Sequence, residues 1–168
     1  AFYGPKIDFK FKDNLDREWQ LGTVQLDFNM PERFELKYTD KDGEKKTPVM
    51  IHRAIAGSLE RFMSVIIEHF GGAFPFWMAP VQVKVLPIAE AHGDAAKEVV
   101  DKLESLDIRV EADYSDDGFG KKVRNAKVEK VPFFVIVGDK ELEEGKFTLE
   151  SRDEGNLGMI TLDELIEK

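Results

Sequence analysis

Residues 48–70 constrain this chain more than any other stretch. They read Pro48-Val49-Met50-Ile51-His52-Arg53-Ala54-Ile55, then Ala56-Gly57-Ser58, then an apolar-faced run from Leu59 to Phe70. The first part has the alternation and β-branched content of a buried or half-buried strand. Gly57 breaks it, and Ser58 is a helix cap by residue type. After Ser58, Phe62, Met63, Ile66 and Phe70 recur on one face at helical spacing, with Glu60 and Arg61 in the first turn, off that face. A strand, a glycine and then a helix with an early arginine hold the parts of an anion site: backbone donors, a positive dipole end and a bidentate guanidinium. Alone, the same pattern is also that of an ordinary helix start.

The strand and helix have neighbours of matching type. Residues 1–13 alternate around Ile7, Phe9 and Phe11, and Asn14 and Asp16 mark a turn. Residues 18–29 form a second predicted strand, with Gly22 marking a bulge or a close backbone approach. Pro31 is expected to end it, residues 34–38 to be extended, and Asp40-Lys41-Asp42-Gly43 to be a loop tip. Strands followed by one packed helix predict an antiparallel sheet. Residues 70–80, rich in glycine, proline and aromatics, form the linker candidate, and the domain boundary is expected at 78/79.

Beyond it the pattern becomes βαβαβ: strands over 81–86, 108–112, 132–137 and 146–151, with helices over 93–105 and 119–128. A short closing helix over 161–168 has Thr161 as its cap. The apolar run from Pro132 to Val137 suits a central strand covered on both faces, and the alternation predicts a mostly parallel three-layer sheet. The fold class is therefore α+β, then α/β.

Charge bears on partners. Of 168 residues, 24 are Lys or Arg and 33 Asp or Glu, a formal net charge of −9, and nearly all of that excess lies after residue 80. A nucleic-acid module is ordinarily basic, because phosphate neutralisation supplies much of its affinity. The one positive cluster in the acidic half is Lys121, Lys122, Arg124, Lys127 and Lys130. No stretch approaches the roughly 20 apolar residues of a membrane span. With no cysteine there is neither a disulfide nor a thiolate metal site, as in many cytosolic proteins. The start, Ala1-Phe2-Tyr3-Gly4-Pro5-Lys6, has no signal-peptide layout and reads as a piece of something longer.

Four blocks carry a resemblance. His52-Arg53-Ala54-Ile55-x-Gly57-Ser58-x-Glu60-Arg61-Phe62 resembles the third signature motif of class II aminoacyl-tRNA synthetases, in the form seen in the threonyl-tRNA synthetase family. The blocks from Ala1 to Phe9, from Trp19 to Phe28 and from Trp77 to Val83 are similar to that family in the same order. Val131-Pro132 and Gly138-Asp139-Lys140-Glu141 continue the likeness. The resemblance implies the end of a class II antiparallel-sheet catalytic domain (1–78), followed by a three-layer α/β anticodon-binding domain (79–168).

It also implies site residues. In the family the histidine at His52 is one of three ligands of a catalytic zinc, the others being an upstream cysteine and histidine. The arginine at Arg61 contacts the ATP phosphates, and Gly57 admits the ligand close to the backbone. Tyr3, Lys6, Gln20, Thr23 and Gln25 correspond to residues lining the ATP and amino-acid pocket. From the sequence alone, one histidine on an apolar strand is ordinarily a core residue, and the polar side chains of 20–25 are equally those of a solvated edge. In the second domain the resemblance assigns Glu141, Arg152, Lys121 and Arg124 to the anticodon region. This chain departs from the family at Glu150, where an arginine is usual. The implied partners are ATP with magnesium, threonine and tRNA(Thr), in a cytoplasmic homodimeric parent enzyme. The implied activity is that of a threonine–tRNA ligase, and the 168-residue chain alone is expected to be inactive. The alternative is a synthetase-like module that binds tRNA or protein without catalysis.

Overall fold

Alternating apolar and polar residues build the first sheet. In the computed structural model, which describes residues 2–166, β1 (Lys6–Lys12), β2 (Glu18–Asp27) and β5 (Met50–Ala54) form a three-stranded antiparallel sheet in the order β1-β2-β5. Lys6 pairs with Gln25 and Asp8 with Thr23, while Gln25 pairs with His52 and Thr23 with Ala54. These polar residues therefore share one face, and Ile7, Val24 and Ile51 share the other.

The register slips by one residue where Phe9 pairs with Gly22 but Lys10 with Gln20. Leu21 is the extra residue of this bulge, which turns Gln20 onto the face of Thr23. Gly22 sits closer to its neighbours there than a side chain ordinarily would. A Cβ there would lie 3.1 Å from Phe9 Cδ2 and 3.3 Å from Arg53 Nη1.

Pro31 does not lead into an extended segment. A short helix, α1 (Asn29–Arg33), follows β2 and buries Pro31 in its first turn, where a missing N–H costs no intrahelical bond. A small hairpin of β3 (Tyr38–Thr39) and β4 (Lys45–Lys46) follows, with 40–43 as its tip. Helix α2 (Leu59–Phe70) begins as the sequence predicts: Ser58 Oγ accepts the Arg61 N–H at 3.2 Å, and Gly57 turns the chain at φ +69°.

The second sheet has the order β10-β9-β8-β6-β7. Its strands are β6 (Val83–Pro87), β7 (Val110–Ala112), β8 (Phe133–Val137), β9 (Phe147–Ser151) and β10 (Gly155–Ile160). Helices α3 (Gly93–Glu104), α4 (Phe119–Val128), α5 (Asp139–Glu144) and α6 (Leu162–Ile166) complete it. Val83, Val85, Val135, Val137 and Leu149 pack with Ala96, Val99 and Leu103 of α3, and Leu165 of α6 joins them. Leu86 and Phe134 pack with Ala126 of α4 on the opposite face. Three layers result.

The sheet is mixed rather than mostly parallel. β7, β6 and β8 are parallel, whereas β9 and β10 run antiparallel to their neighbours. The cause is the short connection between β8 and β9, because a parallel crossover needs about a dozen residues or more. At the end of the chain Thr161 and Glu164 form a capping box, at 3.2 Å and 2.8 Å. The predicted helical residues 167 and 168 lie outside the described residues.

The chain divides into two units, Ala1–His69 and Phe70–Lys168, so that residues 70–78 group with the second sheet. Side chains of the second unit explain this. Arg109 donates to Ala79 O at 2.9 Å and Trp77 O at 2.8 Å, Gln82 to Phe76 O at 3.0 Å, Arg152 to Phe74 O at 2.8 Å, and Lys130 to Gly71 O.

Candidate functional site

The polar face of the first sheet carries two adjoining clusters. Tyr3, Gln25, Asp27 and His52 form one. The Tyr3 hydroxyl donates to Gln25 Oε1 at 3.1 Å, the Tyr3 and His52 rings meet edge to face at 6.2 Å, and His52 Nε2 lies 2.8 Å from Asp27 Oδ2. Gly4 makes the first contact attainable. A Cβ on Gly4 would fall 2.1 Å from Leu26 O, so only glycine lets this segment run flush along β2 and lay Tyr3 over Gln25.

Gln25 is buried, and its Nε2 has no hydrogen-bond partner. Buried amide donors are almost always satisfied, so an orphan beside a half-exposed histidine is what a ligand-facing donor looks like.

The second cluster is Lys6, Asp8, Gln20 and Thr23. Asp8 pairs with Lys6 Nζ at 2.7 Å and accepts from Thr23 Oγ1 at 2.8 Å and from Gln20 Nε2 at 2.9 Å. The Lys6 ammonium, then the Thr23 hydroxyl, hold the Asp8 carboxyl below the usual carboxylate range. Of the six residues predicted for the pocket, Tyr3, Lys6, Gln20, Thr23 and Gln25 lie in one or other cluster, and Gly57 lies in neither. Asp8 and Asp27 bind them together and were not predicted. Their signal was present, since both fall on the polar face by the two-residue period.

Gly57 and Arg61 come from the loop and helix after β5. A Cβ on Gly57 would sit 3.4 Å from Leu21 O and 3.5 Å from Gln20 O, so this turn closes on the bulge of β2. Arg61 is exposed in the first turn of α2. Arg53 points away. Its guanidinium lies over Phe9, on the opposite face from His52.

Of the predicted metal ligands this chain carries only His52. Its side chain is 47% exposed while Asp27 is 2% exposed, so the ring is anchored at Nε2 and open elsewhere. The Met30 N–H first, then the His52 ring and the Asn29 N–H, hold the Asp27 carboxyl below its ordinary range against the effect of burial. Nδ1 of His52 makes no hydrogen bond within the described residues. A half-exposed imidazole held at Nε2 by a buried carboxylate, with Nδ1 unbonded, fits one position of a metal shell. Among the described residues no group of three His, Asp or Glu side chains is arranged to hold a metal ion.

The second unit distributes its predicted residues differently. Lys121 pairs with Asp117 at 2.8 Å and Lys127 with Glu150 at 2.5 Å. Lys122 is buried, and its ammonium donates to Asp113 O at 2.9 Å and Pro87 O at 3.2 Å, where β6 and β7 end. Arg124 has no ion-pair partner among the described residues. Glu141 is buried and accepts from Thr148 Oγ1 at 2.7 Å. Arg152 spends its guanidinium on Phe74 O, Lys130 O and both Asp153 oxygens, at 2.8–3.1 Å. The unexpected Glu150 thus balances a cation of α4.

Residues 1–70 match the family model described as tRNA synthetase class II core domain (G, H, P, S and T), and residues 82–168 match the anticodon binding domain. The chain belongs to the class II aminoacyl-tRNA synthetases, with part of a core domain followed by an anticodon-binding domain. Within that class its relatives are threonine–tRNA ligases. It is 57% identical to that of Caldanaerobacter subterraneus and 55% identical to that of Clostridium tetani, over 100% of this chain and 26% of each relative. It therefore spans about a quarter of their length. The RNA binding domain of threonyl-tRNA synthetase from Cryptosporidium parvum superposes with a TM-score of 0.87 at 44% identity, over 99% of this chain and 42% of that one. No helix among the described residues is long and apolar enough to cross a membrane.

Proposed function

We propose that this chain is a working part of a cytoplasmic, homodimeric threonine–tRNA ligase. That enzyme joins threonine to ATP as threonyl-adenylate with release of pyrophosphate, then transfers the threonyl group to the terminal adenosine of tRNA(Thr) with release of AMP. The observation that carries the reading is the orphaned Gln25 Nε2, buried between Tyr3 and His52 on the face where Lys6, Gln20 and Thr23 also gather. A buried donor left without a partner on a polar face suits a small polar substrate such as an amino acid.

Each residue has a role in this reading. Tyr3, Gln25 and His52 hold the amino-acid end, and Lys6, Gln20 and Thr23 line the adjoining adenylate end. Gly57 keeps the turn before α2 tight against β2. Arg61 meets the phosphates of ATP, which arrives with magnesium, and its guanidinium offsets charge that develops during attack by the threonine carboxylate. Zinc would be held by His52 and by ligands outside this chain, and would offer open coordination positions to the amine and hydroxyl of threonine. Valine lacks the hydroxyl, so such a site rejects it.

The test uses the full-length enzyme containing this chain. Arg61→Ala should slow threonine-dependent exchange of pyrophosphate into ATP by about 10²–10³-fold, the usual cost of removing one donor to a developing charge. Unchanged exchange would overturn the assignment of Arg61.

In the second unit, Arg152, Lys121 and Arg124 belong to the anticodon surface in this reading, whereas Glu141, assigned to the same region, is buried and reaches it only through its neighbours. One observation favours a second reading, a synthetase-shaped module that does not read RNA: most of the predicted cations are already paired within the domain. A gel-shift titration of tRNA(Thr) against a tRNA with a mismatched anticodon, at fixed salt, separates the two. Equal binding of both tRNAs would favour the module.

A further inference from the structure

We infer that Asp27 is a positioning residue for His52, fixing which ring nitrogen is free to bind a metal. The inference rests on the reading of His52 as a zinc ligand.

Asp27 uses both of its oxygens. Oδ1 accepts the N–H groups of Asn29 and Met30, each at 2.9 Å, at the start of α1. Oδ2 lies 2.8 Å from His52 Nε2. With its side chain 2% exposed, the carboxylate has no water to turn to, and the two amide donors fix its plane. An ionised carboxylate only accepts, and a neutral imidazole carries one N–H and one lone pair. In the neutral ring that a metal ligand requires, the N–H is therefore on Nε2 and the lone pair on Nδ1. Within the described residues nothing competes for it, because Gln25 turns Oε1 to the Tyr3 hydroxyl and leaves its own donor unpaired. Metal-ligating histidines commonly have this form, with a carboxylate behind the ring that sets tautomer and orientation. Here the carboxylate is itself held by a helix start, so α1 is coupled to the orientation of His52.

Asp27→Asn in the full-length enzyme separates this role from helix capping. The asparagine retains an oxygen for the Asn29 and Met30 N–H groups. Its second atom is an amide nitrogen, which donates. His52 Nε2 must then accept, the proton moves to Nδ1, and the free lone pair is lost. Zinc affinity, measured by competition with a chromophoric chelator, should fall about 10–100-fold. The thermal midpoint of the zinc-stripped protein should stay near that of the parent, whereas Asp27→Ala should lower both.

His52→Ala is the control. If it abolishes tight zinc binding while Asp27→Asn binds zinc as the parent does, the role of Asp27 is wrong and the zinc reading stands. If His52→Ala binds zinc normally, both fail. An Asp27→Asn protein whose stripped midpoint drops as far as that of Asp27→Ala would make the carboxylate a cap and nothing more, which overturns the inference.

Discussion

Asp13 shows how much one carboxylate can organise. In the turn between β1 and β2 it accepts from the N–H groups of Leu15 and Arg17, both at 2.9 Å, from Arg17 Nε at 2.6 Å and from Trp19 Nε1 at 2.9 Å. The Trp19 indole first, then the Arg17 groups and the Leu15 N–H, hold its carboxyl far below the ordinary range. A depressed folded-state value means that Asp13 favours the folded form above about pH 4 and loses that contribution as pH falls below it. Asp13→Asn should therefore lower the thermal midpoint at pH 7 and flatten its decline between about pH 4 and 2, with parent and variant converging in acid. Thermal unfolding across that range checks the slope. At this scale the sequence revealed the polar face through period-two spacing, but not Lys122. A lysine on an exposed-looking helix turn carries no mark that its ammonium will find two strand-end carbonyls.

Among elements, the segment 70–79 behaves as part of the second domain rather than as a free linker. Its carbonyls at Gly71, Phe74, Phe76, Trp77 and Ala79 each accept a side-chain donor from Arg109, Gln82, Arg152 or Lys130. The Arg109 backbone N–H in turn donates to Gln82 Oε1 at 2.9 Å. Charge-assisted bonds of this kind are each worth about 1.5–3 kcal/mol when a partner is removed, less where water can replace it. Arg109→Ala should destabilise the second unit by about 1–3 kcal/mol in urea unfolding, with Arg109→Lys in between because it keeps the charge without the fork. An unchanged midpoint for Arg109→Ala would show that the segment is not held there. The glycines and prolines of 70–80 marked a break, whereas the cations that pin it lie 30 to 78 residues after the carbonyls they bind. β10 was also illegible: Gly155 and Gly158, at φ +78° and +88°, interrupt its alternation, and the bulge beside Asn156 removes what remains. α4, expected as a helix over 119–128, has those bounds.

Across the whole molecule, burial and charge are unequally shared. Among the described residues the buried hydrophobic core, Ala79 to Leu149, lies wholly in the second unit, while Ile7, Ile51 and Ile55 of the first are 63–78% exposed. Residues 70–168 expressed alone should unfold cooperatively, with the several kcal/mol usual for a domain of that size, and residues 1–69 alone should show no cooperative transition. Calorimetry of the two pieces distinguishes these outcomes. Charge sets the last expectation. The excess of acid in the second half is spent partly on the cations an RNA would use, and the pair of Lys127 with Glu150 at 2.5 Å is the clearest case. Glu150→Gln releases Lys127 and removes a negative charge from the same surface. If this face meets the anticodon loop, one more phosphate contact forms. Affinity for tRNA(Thr) then rises at low salt, and the slope of log affinity against log salt steepens by about 0.7, the value for one single-stranded phosphate. A variant whose affinity and slope match the parent would place Lys127 and Glu150 off the RNA path and leave Arg124 as the cation on α4 to test next.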